Sequence, residues 1–176
     1  SVTISPTSPG DILAERLAIP ASRINKHATV GRSDIHNSFI RDELPALPSD
    51  ILIALDLFFH DVSYVSEWPE EFDSIKDRIQ RYLSVFANKS KYVLVGDTFG
   101  LYEHGKVAAK KINDVLHDMA SRNSSIIVMP FSKIMEDIWA GSYRYDVGGV
   151  VCNFSSDDIL EDDGLHPNAN GEYVLA

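Results

Sequence analysis

Three short apolar runs, interleaved with stretches of helical periodicity, constrain this fold more than any other feature of the chain. They are DILIALDLFF (Asp50–Phe59), KYVLVGD (Lys91–Asp97) and SSIIVMP (Ser124–Pro130). Each has strand length and few polar breaks, the pattern of parallel strands covered on both faces. Between the first two, Phe72, Ile75, Ile79, Leu83 and Phe86 recur at intervals of three or four, which predicts an amphipathic helix. Gly105–Arg122 and Phe131–Gly141 read as two further helices. Earlier in the chain, Pro9–Ile19 reads as a short helix and Ala21–Ala28 as a strand. Arg32–Leu44 reads as a helix capped by Ser33, with Ile35, Phe39 and Ile40 inward. Strands alternating with helices imply β-α-β units with right-handed crossovers. The expected architecture is a single-domain, three-layer α/β/α sandwich with a mostly parallel sheet. Sites in such sheets lie beyond the carboxyl ends of the strands.

Composition narrows the partners. A net charge of −10 over 176 residues argues against nucleic acid or an anionic membrane, since both call for a basic face. Cys152 is the only cysteine, so the chain has neither an internal disulfide nor a cysteine-rich zinc site. That leaves the compartment open. No run approaches the roughly 20 apolar residues of a membrane span, and SVTISPTSPG lacks the basic start and apolar core of a signal peptide.

The chemistry concentrates in LEDDGLHPNANGEY, Leu160–Tyr173. Asp163 precedes His166 by three residues, Gly164 permits a tight turn between them, and Pro167 stops a helix from running through. A nucleophilic hydroxyl needs a base, and the base needs an anion to fix its tautomer and stabilise the imidazolium. The bland alternative is a solvated acidic loop with an incidental histidine, since SSDDILEDDG is already rich in acids.

The block DDGLHPNANGEYVLA resembles the C-terminal motif of the SGNH (GDSL) hydrolases: Asp-Gly-x-His-Pro, a glycine, then a closing helix. The resemblance implies a flavodoxin-like α/β/α sandwich that hydrolyses esters without a cofactor. It also implies Asp163 as the orienting acid and His166 as the base. NKHATVGRSDI resembles the family's second block and puts Gly31 in the place of the oxyanion-hole glycine. In the third block the family has Gly-x-Asn-Asp. Here LDLFFHD puts Phe58 in the glycine place, His60 in the asparagine place and Asp61 last. That is a departure: His60 either donates an N–H to the oxyanion or is a buried histidine bonded to backbone. The opening SVTISPTSPGDILAERL resembles the sequence that follows Gly-Asp in the first block. Ser1 is then the nucleophile and its N–H an oxyanion donor. A companion N-terminal strand ending in Gly-Asp would complete the sheet beside Asp50–Asp56. Thr98 in VLVGDTFG also follows Gly-Asp, but it comes after the blocks it should precede and reads as a decoy in a strand-end turn.

The implied substrate is a small-molecule, lipid or acylated-sugar ester. Loops 61–71 and 141–160 would wall the pocket, with Tyr64, Trp68, Trp139, Tyr143 and Tyr145 as candidate lining. Two rival readings stay open: a non-catalytic SGNH-like binding module, and a metal-dependent hydrolase using His60, Asp61 and His166.

Overall fold

The computed structural model describes residues 9–27, 31–47, 49–67 and 69–175. They fall into two compact units: Gly31–Ser132, and Ser1–Val30 together with Lys133–Ala176.

The Gly31–Ser132 unit is the β-α-β part of the chain. Strands β1 (Ile51–Ala54), β2 (Tyr92–Gly96) and β3 (Ile126–Met129) form a parallel sheet in that order. Leu52 lies opposite Val93, and Val93 opposite Ile126. Helices α2 (Val62–Glu67) and α3 (Pro69–Lys89) lead from β1 to β2, and α4 (Glu103–Arg122) leads from β2 to β3. The α3 periodicity is realised: Ile75, Ile79, Leu83 and Phe86 are buried, and they meet Val93, Val95, Ile112, Leu116 and Ile126 in one core. Each such side chain, taken fully out of water, contributes about 1.5–3 kcal/mol. Leu52, Ala54 and Val128 pack against the same core. Within this unit the double cover expected of the strands is present on one face. The α/β class and the parallel sheet agree with the sequence reading.

β1 is shorter than its apolar run. Asp56 takes φ 58°, a left-handed conformation that aspartate tolerates better than most residues, and the chain turns there into a 3₁₀ turn at Phe59–Asp61. Phe58 closes that turn as a buried core residue.

Two expectations are corrected here. Arg32–Leu44 is not one α-helix but a 3₁₀ turn at Ser33–His36, a π turn at Phe39–Glu43 and a 3₁₀ turn at Leu44–Ala46. Ser33 lies inside the first turn and does not cap it, and Ile35 is 44% exposed. The reason is that Ser33 gives its N–H and C=O to distant side chains, as set out below. The other correction concerns the strand expected at Ala21–Ala28. Ala21–Arg23 is a 3₁₀ turn, 24–27 has no regular structure, and Ala28 lies outside the described residues. Ile24 is the only large apolar side chain in that segment, too little to hold a strand face.

The other unit holds α1 (Pro9–Arg16), the hairpin β4 (Tyr143–Val147) and β5 (Val150–Phe154), α6 (Ser156–Ile159) and α7 (Ala169–Leu175). Helix α5 spans Phe131–Trp139, with Met135 and Ile138 buried. The hairpin turns on Gly148 and Gly149, both with positive φ, as a two-residue turn matched to strand twist requires. Helix α7 packs on α1 and α6.

Candidate active site

The loop between α6 and α7 is built almost entirely from its own hydrogen bonds. Leu160 and Pro167 form an antiparallel bridge at its base. Glu161 N–H donates to His166 O (2.7 Å), and Gly164 N–H donates to Glu161 O (2.8 Å). Gly164 supplies the φ of +66° that this reversal needs.

Asn168 fastens both ends. Its amide donates to Leu160 O (3.1 Å) and Asp158 O (3.3 Å), while its Oδ1 accepts from Gly171 N–H (3.0 Å) at the start of α7. Gly171 sits so close to α6 that a Cβ there would meet Ile159 O at 1.9 Å.

This frame sets Asp163 against His166. Asp163 Oδ1 accepts the backbone N–H groups of Leu165 and His166, both at 2.9 Å. Its Oδ2 lies 2.6 Å from His166 Nδ1. The hydrogen bond from the His166 ring, then those from the two backbone N–H groups, holds the Asp163 carboxyl down at about 2. An anion so placed favours the Nδ1-protonated tautomer, which leaves Nε2 free to accept a proton from a hydroxyl. Both side chains are half exposed, so the His166 ring is open to solvent.

Gly31, His60 and Asp61 lie in the other unit. Gly31 has φ +141°, and a Cβ on it would stand 2.9 Å from Ile35 Cδ1, so the position calls for glycine. Two residues on, Ser33 is held on every polar atom. Its N–H donates to Asp61 Oδ2 (3.0 Å), its Oγ accepts from Arg78 Nη1 (3.0 Å), and its C=O accepts from Tyr82 OH (2.8 Å). Arg78 also donates to Asp61 Oδ1 at 3.0 Å, and Arg32 Nε lies 3.5 Å from that oxygen. Arg32 in turn lies over the Tyr64 ring, 3.8 Å from its centroid, and bonds Glu71. Asp61 is 0% exposed. It fastens the segment after Gly31 to the turn that carries His60.

His60 itself is exposed, its ring edge-on to Phe59, and makes no hydrogen bond among the described residues. The option of a buried, backbone-bonded histidine is therefore set aside. Its ring nitrogens are available.

Thr98 is different. It is 3% exposed, with its N–H and C=O both bonded to the Asn113 side chain and Oγ1 without a partner. The preceding Asp97 accepts Ser132 N–H (2.6 Å) and Ser132 Oγ–H (2.7 Å), so it serves the start of α5. Among the described residues no base is bonded to Thr98, and its hydroxyl is closed off from solvent.

The two stretches expected as loops walling a pocket are corrected: 61–71 is largely helix, α2 and the start of α3, where helical hydrogen bonding takes up the backbone. The 141–160 segment is the β4–β5 hairpin with α6, and Arg16 lies 5.8 Å from the Tyr145 ring centroid. Ser1 and Trp68 lie outside the described residues. Among the described residues, no three His, Cys, Asp or Glu side chains gather as a metal would require, and Asp61 is already engaged by Arg78. The sequence reading missed Asn168, Arg78 and the bond from Trp139 Nε1 to Gly164 O (2.9 Å).

No family model, curated protein or solved structure matches the chain.

Proposed function

We propose that the chain is a carboxylic ester hydrolase of the SGNH type, on a three-layer, flavodoxin-like α/β/α sandwich. Ser1 is the nucleophile, His166 the base and Asp163 the acid that orients it. The observation that carries the reading is the 2.6 Å contact between Asp163 Oδ2 and His166 Nδ1, on a carboxylate already fixed by two backbone N–H groups.

Ser1 Oγ attacks the ester carbonyl as His166 Nε2 takes its proton. The SGNH resemblance gives the oxyanion to the N–H groups of Ser1 and Gly31, with His60 as a third donor. The tetrahedral intermediate expels the alcohol, which leaves with the proton from His166. Water then attacks the acyl-enzyme, again with His166 as base, and the acid is released. Small-molecule, lipid and acylated-sugar esters all fit this chemistry. Among the described residues β1 pairs only with β2.

A fluorophosphonate probe and a series of p-nitrophenyl esters of increasing chain length test the proposal. Labelling at Ser1 and ester turnover are expected. His166→Ala should cut turnover by about three orders of magnitude with the far-UV spectrum unchanged. A folded protein that neither labels nor turns over esters would overturn the proposal in favour of a binding module. Chelator-sensitive turnover without labelling would point to the metal-dependent reading.

A further inference from the structure

We propose that Trp139 is a positioning residue for the acid–base pair, acting through the carbonyl of Gly164; its catalytic consequence rests on the ester-hydrolase reading above. The loop is fastened unevenly. Its base is closed by the Leu160–Pro167 bridge and by Asn168. Its tip carries Asp163 and Gly164, and among the described residues the bonds of Asp163 run only to Leu165 and His166 of the same loop. Both members of the pair are half exposed, so packing does little to hold them. Trp139 Nε1–H, donating 2.9 Å to Gly164 O, is the one side-chain bond to the tip from outside the loop among the described residues.

The anchor itself is firm. Trp139 ends α5, next to Ile138 at 0% exposure and one turn from the buried Met135. The helix end is closed by Ala140 N–H to Glu136 O, Gly141 N–H to Ile138 O and Ser142 N–H to Asp137 O. The indole N–H therefore ties a partly exposed glycine reversal to a packed helix. The peptide it holds lies between the two functional side chains. Rotation of that peptide would move the N–H of Leu165, which Asp163 Oδ1 accepts, and so swing the carboxylate relative to the ring. A misplacement of about 1 Å at such a site can cost about 100-fold in rate.

Trp139→Phe keeps a ring in place and removes only the donor. With p-nitrophenyl acetate, kcat is expected to fall about tenfold or more while KM stays within about twofold. The tautomer of His166, read by long-range ¹H–¹⁵N correlation, should shift in this variant from Nδ1-protonated towards Nε2-protonated. In the wild-type protein, a scalar coupling across the hydrogen bond from Trp139 ¹⁵Nε1 to the Gly164 carbonyl carbon should be detectable, a measurement that needs no variant. An unchanged tautomer and unchanged kcat in a folded Trp139→Phe protein would overturn the proposal, as would absence of the coupling. A shifted tautomer with no ester turnover even in the wild type would leave the positioning role standing and remove the esterase reading.

Discussion

Replacing Asp61 by alanine is the most demanding test of the structure, because one side chain there holds three partners without access to water. Asp61 accepts from Arg78 and from Ser33 N–H at 3.0 Å each, with Arg32 Nε a further 0.5 Å out at 3.5 Å. Truncation leaves the Arg78 guanidinium buried without its counter-ion, and breaking a buried pair from one side costs about 3–5 kcal/mol. For a chain of this size each kcal/mol lowers Tm by about 2–4 °C, so Asp61→Ala should melt roughly 6–20 °C below the wild type.

The two causes can be separated. Asp61→Leu combined with Arg78→Met removes both charges, a change that is often close to neutral. What remains is the Ser33 N–H, buried with no acceptor, at about 1–3 kcal/mol. The double variant should therefore be more stable than Asp61→Ala. Urea unfolding followed by circular dichroism gives the free energies, with the slope checked for constancy. Asp61→Ala within about 1 kcal/mol of wild type, or a double variant as unstable as the two single losses summed, would refute a buried ion pair as the fastening.

Thr98→Val should leave turnover within a few-fold and stability equal or up to about 1 kcal/mol higher, since it removes a buried hydroxyl with no partner; loss of activity in the kinetic assay would reinstate Thr98 as nucleophile. His60→Ala should lower kcat by about 100-fold at constant KM, with His60→Asn recovering most of it, and Tm unchanged because the ring is exposed; a drop in Tm would mark a structural role. Asp163 is held at about 2 against an ordinary 3.8, so its contribution to stability is complete above the ordinary value and is lost as pH falls through the lower one. The Tm difference between wild type and Asp163→Asn should accordingly shrink between about pH 4 and pH 2, and a difference that holds constant across that window in calorimetry would contradict the assignment. Gly171→Ala should destabilise strongly or prevent folding, given a contact of 1.9 Å with Ile159 O; a normal urea midpoint would show that α6 and α7 are farther apart than described.

Local signals were legible, and signals that depend on distant partners were not. The three strands and α3 announce themselves because burial of their apolar faces is what forms them. Asp163, Gly164, His166 and Pro167 were legible for the same reason: their geometry is completed within one loop. The broken helix at Ser33–Ala46 was not, because Ser33 bonds to Asp61, Arg78 and Tyr82, none of them near in sequence. A helical periodicity cannot register that competition. The β4–β5 hairpin did carry a signal, Gly148–Gly149 between Tyr143–Val147 and Val150–Phe154, which the sequence reading treated as loop. Trp139 reaches Gly164 across 25 residues, and no spacing rule connects an indole at a helix end to a carbonyl in a later turn.

The clasp made by Asn168 and Gly171 bears on how a chain like this can diversify. The relation between Asp163 and His166 is decided mainly inside one stretch of backbone, with Trp139 the one side chain that bonds its tip from outside among the described residues. The neighbouring hairpin is the opposite case. At its tip, side chains on Gly148 or Gly149 would meet nothing within 4 Å, so lengthening or redecorating that turn costs the clasp nothing. Under the ester-hydrolase proposal, new substrate preferences can thus be explored at that turn while the hydrogen bonds that set Asp163 against His166 stay in place.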